Sequence, residues 1–213
     1  HRQRRPRRPL PGMLLFQDAS THAWWPTREG SQQDLVVLLD DATSAVYDAV
    51  FVPQEDTRSC LAQLRRTVER QGVFCALYTD KGSHFVTTRT GGSPHRAQHA
   101  GEDTQVQRAL RELGIQLIPA NSPQARGRME RLFGTWQGRL PQELALRGLR
   151  DYDGANRFLR QHWLPYHRRH WVVPAAQGGT AFVPCQRADL EHVFALQHER
   201  TVANDNTVQY GRV

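Results

Sequence analysis

The stretch VFCALYTD, residues 73–80, is an almost continuous apolar run that ends on an acid. A run without polar alternation is expected of a strand covered on both faces, as in the parallel part of a mixed sheet. It lies between two helical patterns. Before it, DTRSCLAQLRRTVERQG (56–72) sets Cys60, Leu61, Leu64 and Val68 on one helical face, with Gly72 as the stop. After it, TQVQRALRELG (104–114) aligns Val106, Leu110 and Leu113 as a short helix, and IQLIPA (115–120) returns as a strand. Upstream, MLLFQDA (13–19), DLVVLLDD (34–41) and AVYDAVFVP (45–53) read as three strands of an antiparallel meander, with Asp40 and Asp41 as turn formers. Downstream, NSPQARGRMERLF (121–133) turns from loop into helix at Ser122 and Pro123, and DGANRFLRQHWLPYHRR (153–169) is amphipathic but interrupted at Pro165. The order β-β-β-α-β-α-β-α plus one helix predicts an α/β fold: a mixed five-stranded sheet with flanking helices. The tail is irregular after Trp171, and ERTVANDNTVQYGRV (199–213) reads as a strand or hairpin.

The chain has 213 residues with 38% apolar content, enough for one substantial core, and its mean hydropathy is -0.65. No apolar stretch approaches the roughly 20 residues that span a bilayer, and no hydrophobic segment follows the basic start, so a cytoplasmic protein without a membrane role is expected. Cys60, Cys75 and Cys185 are odd in number and widely spaced, which suits reduced thiols better than a disulfide framework or a zinc site. The formal net charge is +7. Five arginines fall within the first eight residues, and without them 23 basic side chains face 21 acidic ones, so the surplus belongs to the amino-terminal arm. HRQRRPRRPLP (1–11) is expected to be an extended basic linker, because proline prevents helix and like charges repel. Arg4, Arg5, Arg7 and Arg8 are its candidate contacts to an anionic partner.

Three acids stand at corresponding places in this order. Asp18 ends the first strand, Asp80 ends the fourth, and Glu130 lies on the helix after the fifth. With the first and fourth strands adjacent, the two aspartates converge at one rim of the sheet, and a helix packed across that rim delivers the glutamate. Carboxylates so close repel one another unless a cation fills the gap, and magnesium takes such oxygen ligands. Met129, Leu132, Phe133, Trp136 and Leu140 form one stripe of the helix, while Gly127, Glu130, Gly134 and Gln137 form the neighbouring one. The acid thus projects beside the core among residues lacking bulk. Arg126, Arg128 and Arg131 are expected to hold phosphates beside the metals, because guanidinium forks match phosphate oxygens.

FQDAS, LLDDATSA, LYTDKGSHF and IPANSPQARGRMERLF together resemble the successive motifs of DDE-type integrase cores, found in retroviral integrases and insertion-sequence transposases. LLDDATS and YHRRHWVVPA most resemble the bacterial transposases. The resemblance covers about Gly12 to Trp171. It implies an RNase H-like fold, with Asp18, Asp80 and Glu130 as catalytic ligands of Mg2+ or Mn2+, two ions in all. It further implies cleavage of transposon ends, strand transfer into target DNA, double-stranded DNA as partner, and a homodimer or larger assembly. Lys81, Asn121 and Gln124 join the arginines as candidate DNA contacts. Lys81 stands where the family often has asparagine, and the interval from Asp80 to Glu130 is longer than in retroviral enzymes, with residues 87–103 read as a surface insertion. The domains expected are a basic linker at 1–11, a catalytic core at 12–172, and a linker leading into a truncated β module at 173–213.

Other readings stay open at this level. A single aspartate at a strand end is usually a turn or cap residue, and Glu130 alone could simply pair with Arg126. Trp24 and Trp25 are better explained by packing than by base stacking. His95 and His99 lack helical periodicity around them, His84 suits a supporting role as well as a direct one, and Arg157, Arg160, Arg168 and Arg169 fit solvated helix faces. A catalytically silent module that binds DNA or a partner, or an RNase H-like nuclease that only hydrolyses, would share much of this sequence.

Overall fold

The computed structural model describes residues 5–26, 30, 32–82, 85, 103–120 and 127–209. Five strands form one sheet: β1 (Leu15–His22), β2 (Gln33–Asp40), β3 (Val46–Val52), β4 (Ala76–Thr79) and β5 (Gln116–Pro119), in the order β3-β2-β1-β4-β5. β1 to β3 are the antiparallel meander, and β4 and β5 join β1 in parallel. The apolar run at 73–80 is thus central, as expected, although its regular strand is confined to Ala76–Thr79. Val73 bridges instead to Val183 of the carboxyl-terminal segment.

Helix α1 (Thr57–Gln71) starts at a capping box between Asp56 and Ser59 and ends at Gly72, whose φ of 102° is open to glycine and strained for other residues. α2 (Gln105–Glu112) has its own capping box, between Thr104 and Gln107. α3 (Gly127–Gln137) and the short α4 (Leu140–Leu146) follow β5. α5 (Tyr152–Phe158), a π turn at Leu159–Trp163 and α6 (Leu164–Trp171) then run on without a break, and α7 (Leu190–Val193) closes the series. The interruption expected at Pro165 does not occur. A proline inside an α-helix removes one backbone bond and presses on the carbonyl four residues back. Here the Leu164 N–H reaches Leu159 O, five residues back, so the wider π turn makes room and Pro165 sits in the first turn of the next helical segment.

Strand alternation sorts the apolar residues into two cores. Phe16 of β1, Leu35, Val37 and Leu39 of β2 and Phe51 of β3 pack against Met129, Phe133, Trp136, Phe158 and Trp163. Leu15, Leu38 and Leu77 point the other way, onto α1, α2 and Leu190. Trp24 and Trp25 are buried in the first core, in agreement with the packing reading. At the free edge of β3, Asn156 donates to Phe51 O at 3.0 Å and accepts from Phe51 N at 2.7 Å. One side chain thereby satisfies backbone groups that would otherwise invite another strand.

The carboxyl-terminal segment differs from expectation. It lies back along the domain, with Gln177 N–H on Pro9 O, Ala181 N–H on Pro11 O and the Val73–Val183 bridge. Its described part beyond Glu199 forms a turn held by Ala203 N–H to Thr207 O in place of a strand or hairpin. Asp205 in that turn accepts from Thr207 N–H at 3.1 Å, a local bond that competes with strand pairing. Cys60, Cys75 and Cys185 are unpaired, as expected, but Cys75 is exposed. No helix among the described residues is long and apolar enough to cross a membrane.

Candidate active site

Asp18 lies within β1 and shares the face of Phe16 by alternation. Asp80 follows β4 by one residue. β1 and β4 pair in parallel with Leu15 opposite Leu77 and Phe16 opposite Tyr78. Carried two residues further, that register brings Asp18 level with Asp80 on neighbouring strands, whose spacing is about 4.8 Å. This is the carboxyl end of β4, where parallel sheets gather their ligands, but the middle of β1, which runs on to His22 in place of ending at Asp18 as expected. Each carboxylate is oriented by local backbone: Asp18 Oδ1 accepts from Ala19 N–H at 3.1 Å, and Asp80 Oδ1 accepts from Gly82 N–H at 2.7 Å. A Cβ on Gly82 would lie 2.7 Å from that same Asp80 oxygen, so a larger residue there would push the carboxylate aside.

Glu130 is exposed in the first turn of α3, where the positive end of the helix dipole favours a carboxylate. Met129, Leu132, Phe133 and Trp136 bury the neighbouring face in the core that also holds Phe16 and Tyr78. Gln137, two turns beyond Glu130 on the same stripe, donates to Ser20 Oγ at 2.8 Å. That bond fastens the stripe to β1 two residues past Asp18. Gly127 and Gly134 flank Glu130, and a Cβ on either would meet nothing within 4 Å. The stripe is open, as expected from residues lacking bulk. Among the described residues, no group of three or more His, Cys, Asp or Glu is arranged to hold a metal ion. The donor chemistry at this rim is nevertheless carboxylate oxygen throughout, which fits a hard divalent cation.

Two of the three arginines expected beside Glu130 have other neighbours. Arg128 and Arg131, with Leu132 and Thr135, occupy another flank of α3 and line a cavity with His167 and Trp171. Helical spacing turns Arg128 to the side opposite the acid. Its guanidinium pairs with Asp41 and donates to Arg5 O at 3.0 Å. The amino-terminal arm is correspondingly not an extended tail from Arg5 onward. Arg5 pairs with Asp41, Arg7 donates to Asp41 O at 2.9 Å, and Arg8 N–H donates to Asp41 Oδ2 at 2.7 Å. Asp41, read as a turn former, is a fully buried anchor with several donors converging on it. Asp40 does form the turn, accepting from Thr43 N–H and Oγ1 and from Gly12 N–H, and burial raises its carboxyl above the ordinary range. Nothing in the DD pair distinguishes anchor from turn former. The excess of arginines at the amino terminus was the one available signal. Lys81 is exposed beside Asp80. Arg4, His84, Asn121, Gln124, Arg126, the helix start at Ser122 and Pro123, and the insertion with His95 and His99 lie outside the described residues.

The chain is 31% identical over 226 residues to a protein of Sinorhizobium fredii that carries a transposase name, across 99% of this chain and 48% of that relative. It is 34% identical over 155 residues to the transposase for insertion sequence IS1202 of Streptococcus pneumoniae, across 73% of this chain and 32% of the relative. The chain is thus similar to transposases along most or all of its length. It spans about half the length of the first of these relatives and about a third of the second. No family model matches it. Among solved structures, a simian T-cell lymphotropic virus intasome in complex with PP2A regulatory subunit B56 gamma aligns with all of this chain and 66% of its own, at 15% identity and a TM-score of 0.55. The HTLV-2 integrase catalytic core domain in complex with magnesium aligns with 79% of this chain and 93% of its own, also at 15% identity, with a TM-score of 0.51. The fold is therefore the RNase H-like fold of integrase cores, and the mixed sheet with β1 and β4 side by side is its centre.

Proposed function

We propose that residues 12–172 are the catalytic core of a DNA transposase, with the segments before and after laid against it. Asp18, Asp80 and Glu130 hold Mg2+ or Mn2+, two ions in all, and the core cleaves phosphodiesters at transposon ends and joins the freed 3′ hydroxyl to target DNA. The observation that carries this reading is the parallel pairing of Leu15 with Leu77 and Phe16 with Tyr78, and its continuation by two residues supports a site shared by Asp18 and Asp80. The transposase names of its relatives and the magnesium complex of the HTLV-2 core point the same way. Bound divalent ions supply the charge that stabilises attacking and leaving oxygens in an in-line displacement at phosphorus. The protein's own part is positional. The Ala19 and Gly82 amides hold the two aspartates in place, and the glycine-flanked stripe of α3 lets a DNA strand approach Glu130 closely. Lys81, Asn121, Gln124 and Arg126 are proposed contacts to that strand. Double-stranded DNA is the partner, a homodimer or larger assembly brings two ends together, and the protein works in the cytoplasm where its DNA is.

Asp80→Asn tests the reading, since it keeps the hydrogen-bonding shape but removes a metal-binding charge. With a labelled donor end, the unaltered protein should give both clipped and joined products, and the variant should give neither while its circular dichroism is unchanged. Substantial metal-dependent cleavage by the variant would refute the assignment. Clipped products without joined ones from the unaltered protein would mark a nuclease, and binding without either product a silent module.

A further inference from the structure

The cavity on the far flank of α3 is not accounted for by the acid rim. Its volume is about 250 Å3, and Arg7, Arg128, Arg131, Thr135, His167 and Trp171 are among its lining residues. Pockets for drug-sized ligands run to about 300–1,000 Å3, so this one admits a single small group. Its charge is one-sided. Arg5, Arg7 and Arg131 all bear electrostatically on Arg128, and the carboxylate acting on it is that of Asp41. Burial is the largest influence lowering the Arg128 pKa, and the neighbouring arginines add to it against Asp41. The Arg131 side chain has no hydrogen-bond or ion-pair partner among the described residues. Three guanidiniums thus line a concavity whose counter-charge, Asp41, is already shared between Arg5 and Arg128.

His167 does not add a titrating charge. It is buried, its Nδ1 accepts from Trp136 Nε1 at 3.2 Å and its Nε2 donates to Ser44 O at 2.8 Å, which uses both ring nitrogens in the neutral form. Trp171 supplies an aromatic wall beside the arginines. Forked cationic donors with an unsatisfied member, a rigid neutral wall and room for one small group match a phosphate with part of its sugar.

We infer that this cavity is a second phosphate-binding site, separate from the acid rim, which takes one backbone phosphate of a DNA strand on Arg131 with Arg128 and Arg7 behind it. Asp41 is its positioning residue, holding Arg128 and the arm that carries Arg7. The inference rests on the proposed DNA substrate only for the source of the phosphate. It needs no catalysis, so it is tested in EDTA, where the acid rim is silent.

Equilibrium binding of a labelled duplex is measured across a salt series for the unaltered protein, Arg131→Gln and Arg65→Gln. Loss of one phosphate contact reduces the slope of log K against log salt by about 1. Arg131→Gln is expected to show that reduction on every duplex sequence, and Arg65→Gln, which removes a like charge from α1 across the sheet, is expected to show none. An unchanged slope for Arg131→Gln would overturn the site. In a second arm, inorganic phosphate alone is titrated at constant ionic strength while tryptophan fluorescence is followed. If phosphate perturbs the fluorescence in an Arg131-dependent way and the duplex does not, the cavity serves a free anion and the strand assignment fails. Loss of the cleavage reaction in Asp80→Asn, or its retention, bears on neither arm.

Discussion

At the scale of single residues, burial decides which polar groups organise the domain. Asp41 and His167 are both nearly inaccessible, and both are joined to groups from other parts of the chain. Neither was legible as such, because partners distant in sequence leave no periodic trace. His167 joins the β2–β3 turn at Ser44, α3 at Trp136 and its own helix α6. Burial holds its pKa below the ordinary 6.5, outweighing the hydrogen bond to Ser44 that favours the charged ring. The unfolded chain therefore binds more protons as pH falls through about 6.5, and folding stability, complete above that value, declines below it toward the folded pKa. Urea midpoints at about pH 7.5 and about pH 5.5 should show this decline. His167→Gln, less stable at the higher pH, should lose less between the two. An equal loss in both proteins would shift responsibility to other groups.

Elements whose apolar residues follow a regular spacing were legible: the meander, α1 with its stop at Gly72, α2, β5 and the buried stripe of α3. Where the backbone adapts to a neighbour, the pattern gave no warning. β4 is shortened because Val73 pairs with a segment more than a hundred residues away, Leu140 starts a new helix, and Pro165 is accommodated by a π turn. The candidate site divides the same way. That Asp18 and Glu130 fall on the first strand and on the helix after the fifth, and that Asp80 follows the fourth strand, could be read from the order of elements, whereas the orientation of Arg128 depends on the turn of α3 against Asp41. The same helix offers a test of its open stripe. Gly134 lies inside α3 with nothing near its would-be Cβ, so packing does not require glycine there. Gly134→Ala should stabilise the protein by about 0.8–1.0 kcal/mol through helix propensity alone. If DNA approaches Glu130 along this stripe, the same variant should lose strand-transfer activity while its melting temperature rises. Higher stability with unchanged activity would mean the strand passes elsewhere.

Across the whole molecule, the segments Arg5–Pro11 and Gln177–Val183 are laid against the core and against each other. The arm at Arg5–Arg8 closes over Asp41 and the start of α3, while Gln177 and Ala181 bond Pro9 and Pro11. The basic residues that dominate the net charge are therefore partly structural. An arm that merely trailed in solvent would affect DNA affinity and its salt dependence, and nothing else. Deleting residues 1–8 should instead do two things at once. It removes cationic groups, so duplex binding weakens and its salt slope flattens. It also strips Asp41 of Arg5, Arg7 and the Arg8 amide, leaving a buried carboxylate to Arg128 alone. Hydrogen bonds to charged groups are each worth about 1.5–3 kcal/mol, so the truncated protein should melt several degrees lower even without DNA. Because Asp41 is fully buried, moderate salt should recover little of a mutational loss or mimic little of it. Thermal melts of the full and truncated chains at low and moderate salt, set beside duplex titrations, separate the two roles. A truncated protein that melts at the same temperature as the full chain would return the arm to a purely electrostatic role.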